Sequence, residues 1–380
     1  APGYAYANEK ATIPLGWIPE AAHTYAYMDG DYGIMNEHGL MLGECTDASR
    51  LRNMPASEGS GLFYASELGR VALERCRTAR EAVDLMGKLV DTYGLYGSGE
   101  TLLVADRQEA YVFEFQPATG PVRGIWIAQR VPDGEFFAAA NQFRIQDITE
   151  GRSDLILNPE LPAQLKALGW AATDPDTGNL DWQRSVKGEE SYHPYHDLRR
   201  VWRAMSLAAP SLQLPSRVEG PYTRAYPFAV KPDHPLTLED LMKMHRDVYE
   251  GTEFDMTKTS NSGLFGSPYR YGDGHTQRPI ASMITGYTWI TQNNAALPSP
   301  IAWVSLASSR ENPFVPLAVA PMPQGYEQVD RRHYDTSKPW WHSMQTSELL
   351  QGRDSVYRQE TQAALQTVEK KSIQLVETSK

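Results

Sequence analysis

Two rhythms of apolar and polar residues run through the first half of the chain. Thr24-Tyr25-Ala26-Tyr27 and Tyr32-Gly33-Ile34-Met35 read as strands. Asn36-Glu37-His38-Gly39 reads as a turn, and Leu40 to Thr46 as the returning strand. Asn and Gly suit such a turn because they tolerate positive φ. From Leu62 to Arg77 the spacing changes to that of a helix, with Leu68, Val71, Ala72 and Arg75 on one stripe. Thr78-Ala79-Arg80-Glu81 matches a capping box. Ala82, Val83, Met86, Leu89, Val90 and Tyr93 predict a second helix, and Gly94 a stop. Strands then return at Thr101–Ala105, Ala110–Phe115, Gly124–Val131 and Glu135–Ala140.

The middle of the chain is less regular. Residues 1–22 read as an extended lead-in, and residues 151–236 as a loop-rich insertion with short helices at Pro162–Leu168 and His196–Leu207. Such long connections often carry function or wrap a neighbour. Thr237, with Asp240 three residues on, starts another helix, and Gly251 ends it. Late strands are predicted at Ala281–Ile284, Tyr287–Gln292, Ile301–Leu306 and Val315–Ala318. Arg353 to about Val376 reads as a long surface helix. Strand groups separated by helices predict an α+β fold with helices outside the sheets. The predicted division is a main domain over 1–338 and a C-terminal helical extension over 339–380.

Composition narrows the chemistry. The 380 residues carry a net charge of −11. An acidic surface repels phosphate backbones, so nucleic acid is not an expected partner. No stretch approaches the roughly 18–20 apolar residues of a membrane span. Two cysteines, Cys45 and Cys76, are too few for a disulfide framework and leave the compartment open. The sequence has no His-Glu-x-x-His, no phosphate-cradling glycine loop and no Gly-x-Ser-x-Gly elbow. His193 and His196, with Pro194 between them, make a weak zinc motif. No metal or other cofactor is expected.

Several segments, taken in order, resemble one family. They are Tyr25 to Leu40, Gly43-Glu44-Cys45-Thr46, Ala128 to Asp133, Ala140-Asn141-Gln142-Phe143-Arg144-Ile145, and Arg246 to Asp255. Together they look like the N-terminal-nucleophile cysteine dipeptidases, the family of bacterial broad-specificity dipeptidases and the secernins. The resemblance runs from about Ile13 to about Trp341. It implies a four-layer α-β-β-α sandwich and hydrolysis of the amide bond of small peptides. The implied nucleophile is an N-terminal Cys whose own α-amino group, of unperturbed pKa near 8, serves as base. Residue 1 here is Ala, and the family carries its Cys on a hairpin well upstream of the Tyr25–Leu40 region. The thiolate is therefore expected upstream of this chain or on a separate chain. The alternatives are a catalytically inactive binding or assembly component on the same scaffold, to which the C-terminal helix could dock a partner, and an amidase for acylated amino acids. An oligomer is compatible with all three.

The resemblance also singles out residues. Asn36 and Asn141 are the candidate catalytic pair, each an amide able to donate to a developing oxyanion. The competing reading of Asn36 is that Asn suits the turn, and of Asn141 that it caps a strand. Arg270 is the candidate ligand for a substrate carboxylate, with a structural ion pair as the competing reading. Arg246, Asp247 and Glu250 read as structural, Arg246 and Glu250 as an i,i+4 pair. Cys45 is a second candidate nucleophile if His38 reaches it across the hairpin. A Cys within an apolar strand more often behaves as a small hydrophobe. Cys76, between Arg75 and Arg77, could have a lowered pKa, but a plain helix residue is the simpler reading.

Overall fold

The computed structural model describes residues 14–56, 61–149, 151–188, 196–218, 220–260, 262–269, 278–295, 297, 299–326 and 333–379. It divides into two compact units. One is Pro19–Pro235, and the other is Leu236–Lys380 with the segment ending at Ile18. The mixed architecture, with antiparallel sheets and packed helices, is the expected α+β class.

The first unit opens with β1 (Tyr27–Met28), β2 (Met35–Asn36) and β3 (Met41–Thr46). Then come α1 (Ala65–Arg75) and α2 (Ala79–Tyr93). The Thr78 capping box forms as expected, with Glu81 as its partner, and Gly94 ends α2 at φ 72°. Strands β4 (Glu100–Ala105), β5 (Ala110–Pro117) and β6 (Gly124–Arg130) form the meander. The short strands β7 (Phe136–Phe137) and β8 (Asp147–Ile148) precede β9 (Leu155–Leu157). Next are α3 (Leu161–Ala167), β10 (Leu180–Asp181), α4 (Trp182–Val186), α5 (Leu198–Ala208) and β11 (Ala229–Val230). The main sheet is antiparallel, in the order β1-β2-β3-β4-β5-β6-β9.

Alternation gives this sheet two unlike faces. Leu42, Leu102, Val104, Phe113, Phe115 and Trp126 lie on one, under α1 and α2. Contact there is close. A Cβ on Gly87 of α2 would collide with the Trp126 ring. Val112, Ile125 and Ile127 lie on the other face and join Phe143, Ile145, Leu161, Leu165, Trp182 and Val186 in a second core. The strand expected over Glu135–Ala140 shortens to Phe136–Phe137, which pairs with Ala229–Val230.

The second unit begins with α6 (Leu238–Met244), capped by Thr237 and Asp240 as the sequence predicts. It ends before Arg246, so Arg246 and Glu250 do not form a helical i,i+4 pair. Arg246 pairs instead with Glu369, and Glu250 with Arg310. Strands β12 (Tyr287–Gln292), β13 (Ile301–Leu306) and β14 (Val315–Ala318) coincide with three expected strands and form an antiparallel sheet. Residues 281–284 are not a strand. Helices α7 (Pro339–Gln351) and α8 (Asp354–Thr378) follow.

Residues of α8 pack on this sheet. Val376 and Ile373 of α8 join Met242, Ile290, Trp303 and Phe314 in one core. Helix α8 is thus the expected surface helix, with one face packed on this core.

Arg310 is fully buried and anchors this unit. It donates to both Asp354 oxygens, to Glu250 and to the Arg246 carbonyl. Replacing it with Met leaves the Asp354 carboxylate buried without its cation. Arg310→Met should cost about 3–5 kcal/mol in a urea titration. A loss below about 1 kcal/mol would mean that solvent reaches Asp354 freely.

Candidate functional site

The candidate site lies where β3 ends and β4 begins. The register fixes Cys45 opposite Thr101 and Thr46 opposite Glu100. Glu44, Thr46 and Glu100 thus share the helix-covered face. Cys45 and Thr101 face the other way, with Glu114 and Gln116 of β5 alongside.

On that second face the polar groups bind one another. The Thr101 hydroxyl donates to Asp47 Oδ2 at 2.6 Å, and the Cys45 thiol to Asp47 Oδ1 at 3.6 Å. Burial pushes the Asp47 carboxyl well above its usual range, and the neighbouring Glu114 adds to this. Burial, then the Asp47 and Glu44 charges, also pushes the Cys45 thiol up. The thiolate that nucleophilic attack requires is disfavoured there. His38 does not help it. His38 sits at the opposite end of β3, with its ring edge-on to Tyr25 at 4.4 Å between centroids. The Cys45–His38 pairing is therefore not formed. Cys76 is buried at the end of α1, and burial pushes its thiol up to about 12, outweighing Arg75.

Glu114 holds the second core together. Its carboxylate accepts from the backbone of Arg144 and Ile145 and from Trp182 Nε1. These donors favour the charged form, yet burial prevails and pushes the pKa up to about 8.

The helix-covered face presents a different arrangement. Thr46 Oγ1 lies 3.1 Å from Glu44 Oε1 and 3.1 Å from Glu100 Oε1. Both carboxyls titrate above the usual range, chiefly through burial, and the charge of Glu44 raises Glu100 further. Tyr32 is held above its ordinary value by burial and then by these two acids.

Asn141 borders both faces. Its backbone is left-handed, at φ 57°. Three contacts hold it there. Nδ2 donates to the Thr46 carbonyl at 2.6 Å, Oδ1 accepts from Arg200 Nη2 at 2.8 Å, and its carbonyl accepts from Ala48 N at 3.2 Å. Arg200 is itself fixed by the His196 carbonyl and by Asp197. One Asn141 amide proton is thus spent, and the second has no acceptor among the described residues. A strained, clamped donor of this kind is a reason to suspect function.

Asn36 is placed differently. It is fully buried. Nδ2 donates to the Leu73 and Cys76 carbonyls, and Oδ1 accepts from His38 N and Leu40 N. Both amide protons are committed to tying the turn to the end of α1. Asn36 adjoins the Met41 end of β3, and Asn141 the Thr46 end. Five residues of strand separate these ends, about 16 Å. The structure does not bring the two amides together. Arg270 and His193 lie outside the described residues. His196 sits against Asp197. Among the described residues no group of three His, Cys, Asp or Glu is arranged for a metal ion, and no helix is long and apolar enough to cross a membrane.

Sequence reading missed Asp47, Glu100, Thr101, Glu114 and Arg200. A signal was present for the acids. Glu44, Glu100 and Glu114 interrupt strands whose neighbours are apolar, and a carboxylate rarely enters such a run without a reason.

Raising the folded-state pKa of Glu114 gives stability a definite sign with pH. Between its unfolded value of roughly 4.3 and about 8, the folded chain holds a proton that the unfolded chain has released. Stability should therefore fall as pH rises through this window. Glu114→Gln should flatten the slope even if it lowers stability overall. Urea midpoints at several pH values read both effects, and an unchanged slope would assign the titration elsewhere.

Comparison with known proteins agrees with the expected resemblance. The model described as Peptidase family C69 matches residues 45–370. The chain is 23% identical over 299 residues to probable dipeptidase B of Lactococcus lactis subsp. lactis (strain IL1403), covering 74% of this chain and 56% of that protein. It is 26% identical over 187 residues to a probable dipeptidase of Latilactobacillus sakei, covering 49% of this chain and 36% of that one. With a probable dipeptidase of Salmonella dublin the identity is 24% over 232 residues, covering 61% and 48%. The chain spans about half the length of the curated relatives it matches.

Proposed function

The chain belongs to peptidase family C69, and on that premise we propose that it serves a dipeptidase that hydrolyses the amide bond of small peptides. The attacking group in this reading is the thiolate of an N-terminal cysteine carried outside residues 1–380. The thiolate adds to the scissile carbonyl carbon, and the carbonyl oxygen becomes an oxyanion. The cysteine's protonated α-amine gives its proton to the leaving amine as the C–N bond breaks. Water then hydrolyses the thioester and frees the acid. The four-layer α-β-β-α arrangement and a substrate-carboxylate role for Arg270 are parts of the same proposal.

The supporting observation is the Asn141 amide. It is held by Arg200 on its oxygen and by the Thr46 carbonyl on one proton, with the other proton unspent among the described residues. A donor fixed before the reaction stabilises an oxyanion without reorganising during it. Asn36 has no proton to offer in its present bonds, so the proposal rests on Asn141.

The test uses the full-length gene product and a panel of free dipeptides, with acylated amino acids in parallel. Asn141→Ala should lower kcat by roughly 10²–10³-fold, the usual cost of losing one oxyanion donor. Asn36→Ala should leave kcat near wild type and lower the melting temperature, because it unpairs buried backbone groups. Full activity in Asn141→Ala would remove the basis of the proposal. Turnover of acylated amino acids alone would turn it toward the amidase reading.

A further inference from the structure

We propose that Asp197 is a positioning residue for the Asn141 amide, acting through the guanidinium of Arg200. The proposal rests on the reading of Asn141 as an oxyanion donor and adds the group that fixes it in place.

Asp197 opens α5, and an aspartate in that place ordinarily turns its carboxylate back onto a free N–H of the first turn. Thr78 and Thr237 cap their helices in this way, each from an extended backbone. Asp197 does not. Its backbone is already helical, at φ −103° and ψ −66°, and its side chain makes no capping bond. The N–H groups of Arg200 and Val201 go instead to the Asp197 carbonyl. The side chain is fully buried, and its Oδ1 faces both His196 Nδ1 and Arg200 Nη2. Oδ2 has no partner among the described residues. The carboxylate is thus given to the cation one turn along and not to the helix that it begins.

Arg200 needs such a hold. A long arginine side chain is flexible, and its guanidinium is directional only when the fork is fixed. Three acceptors fix this one. Nε donates to the His196 carbonyl at 2.9 Å. Nη2 is shared between Asn141 Oδ1 at 2.8 Å and Asp197 Oδ1 at 3.4 Å. The same nitrogen therefore joins the carboxylate to the amide oxygen.

This arrangement acts on Asn141 through orientation and through charge. With its oxygen held by Arg200 and one proton by the Thr46 carbonyl, the amide plane cannot turn, and the second N–H keeps one direction. A cation on the amide oxygen also draws electron density from the nitrogen, which strengthens the remaining N–H as a donor. Removing the Asp197 charge leaves the largely buried guanidinium without this counter-charge. Arg200 should then seek solvent and release the amide oxygen.

The test uses the full-length gene product labelled with nitrogen-15 at asparagine. Asn141→Ala identifies the side-chain amide protons of Asn141, and those of Asn36, tied up at the far end of β3, are the control. Asp197→Asn keeps the side-chain shape and removes the charge. It should shift the Asn141 amide resonances and speed their exchange with solvent about five-fold, leaving those of Asn36 unmoved. With a free dipeptide as substrate it should lower kcat about ten-fold and change KM by less than about two-fold. In the Asn141→Ala background the same change should lower kcat by less than about two-fold, whereas general damage would cost the same in both backgrounds. A thermal melt establishes folding of each variant. Asp197→Ser, a residue that helix starts favour, carries the test if Asp197→Asn fails to fold. Unmoved Asn141 resonances overturn the proposal, as does an equal loss of kcat with and without Asn141. The two readings fail separately. Moved resonances with no turnover by wild type leave Asp197 its role and sink the hydrolase. Turnover that Asp197→Asn supports at the wild-type rate does the reverse.

Discussion

The antiparallel register of β3 against β4 is the constraint on which the candidate site depends. A shift by one residue would exchange the faces of every side chain on β3. Glu44 and Thr46 would then leave Glu100, and Cys45 would turn toward the helices. The register is held by what each face buries. Leu42, Leu102 and Val104 must meet α1 and α2, while Val112, Ile125 and Ile127 must meet Trp182 and Phe143. Hydrophobic burial on both sides thus sets the geometry of the polar groups at the strand end.

Buried polar residues have two distinct uses in this chain. Arg310, Asn36 and Glu114 are closely matched to their partners and join segments distant in sequence. Their bonds account for their burial. Glu100 is buried and Asn141 half-buried; among the described residues both are matched incompletely, and both adjoin Thr46. A satisfied polar group specifies packing, whereas a buried unsatisfied one is costly. This contrast separates the Asn141 amide from the Asn36 amide, although both occur in segments that carry the family resemblance.

Much of the local structure was legible in the sequence because local rules governed it. Thr78 and Thr237 cap helices as their spacing requires, and three late strands have their expected bounds. Where tertiary contacts decided, the reading slipped. Arg246 and Glu250 had the right spacing for a helical pair, but α6 ends at Met244 and each finds a distant partner. Asn141 was legible only through the order of family segments, since its partners Thr46 and Arg200 are remote in sequence. Arg200 carried no signal, because one arginine in an arginine-rich helix looks like any other.

The surroundings of the two cysteines have a practical consequence. Both thiols are held in the protonated form by burial, and Cys45 also by nearby acids. Alkylating reagents react with the ionised sulfur, so the folded chain presents a chemically quiet background. Any more acidic cysteine contributed from outside these residues would stand out by rapid labelling at neutral pH, without either internal sulfur having to be removed by mutation.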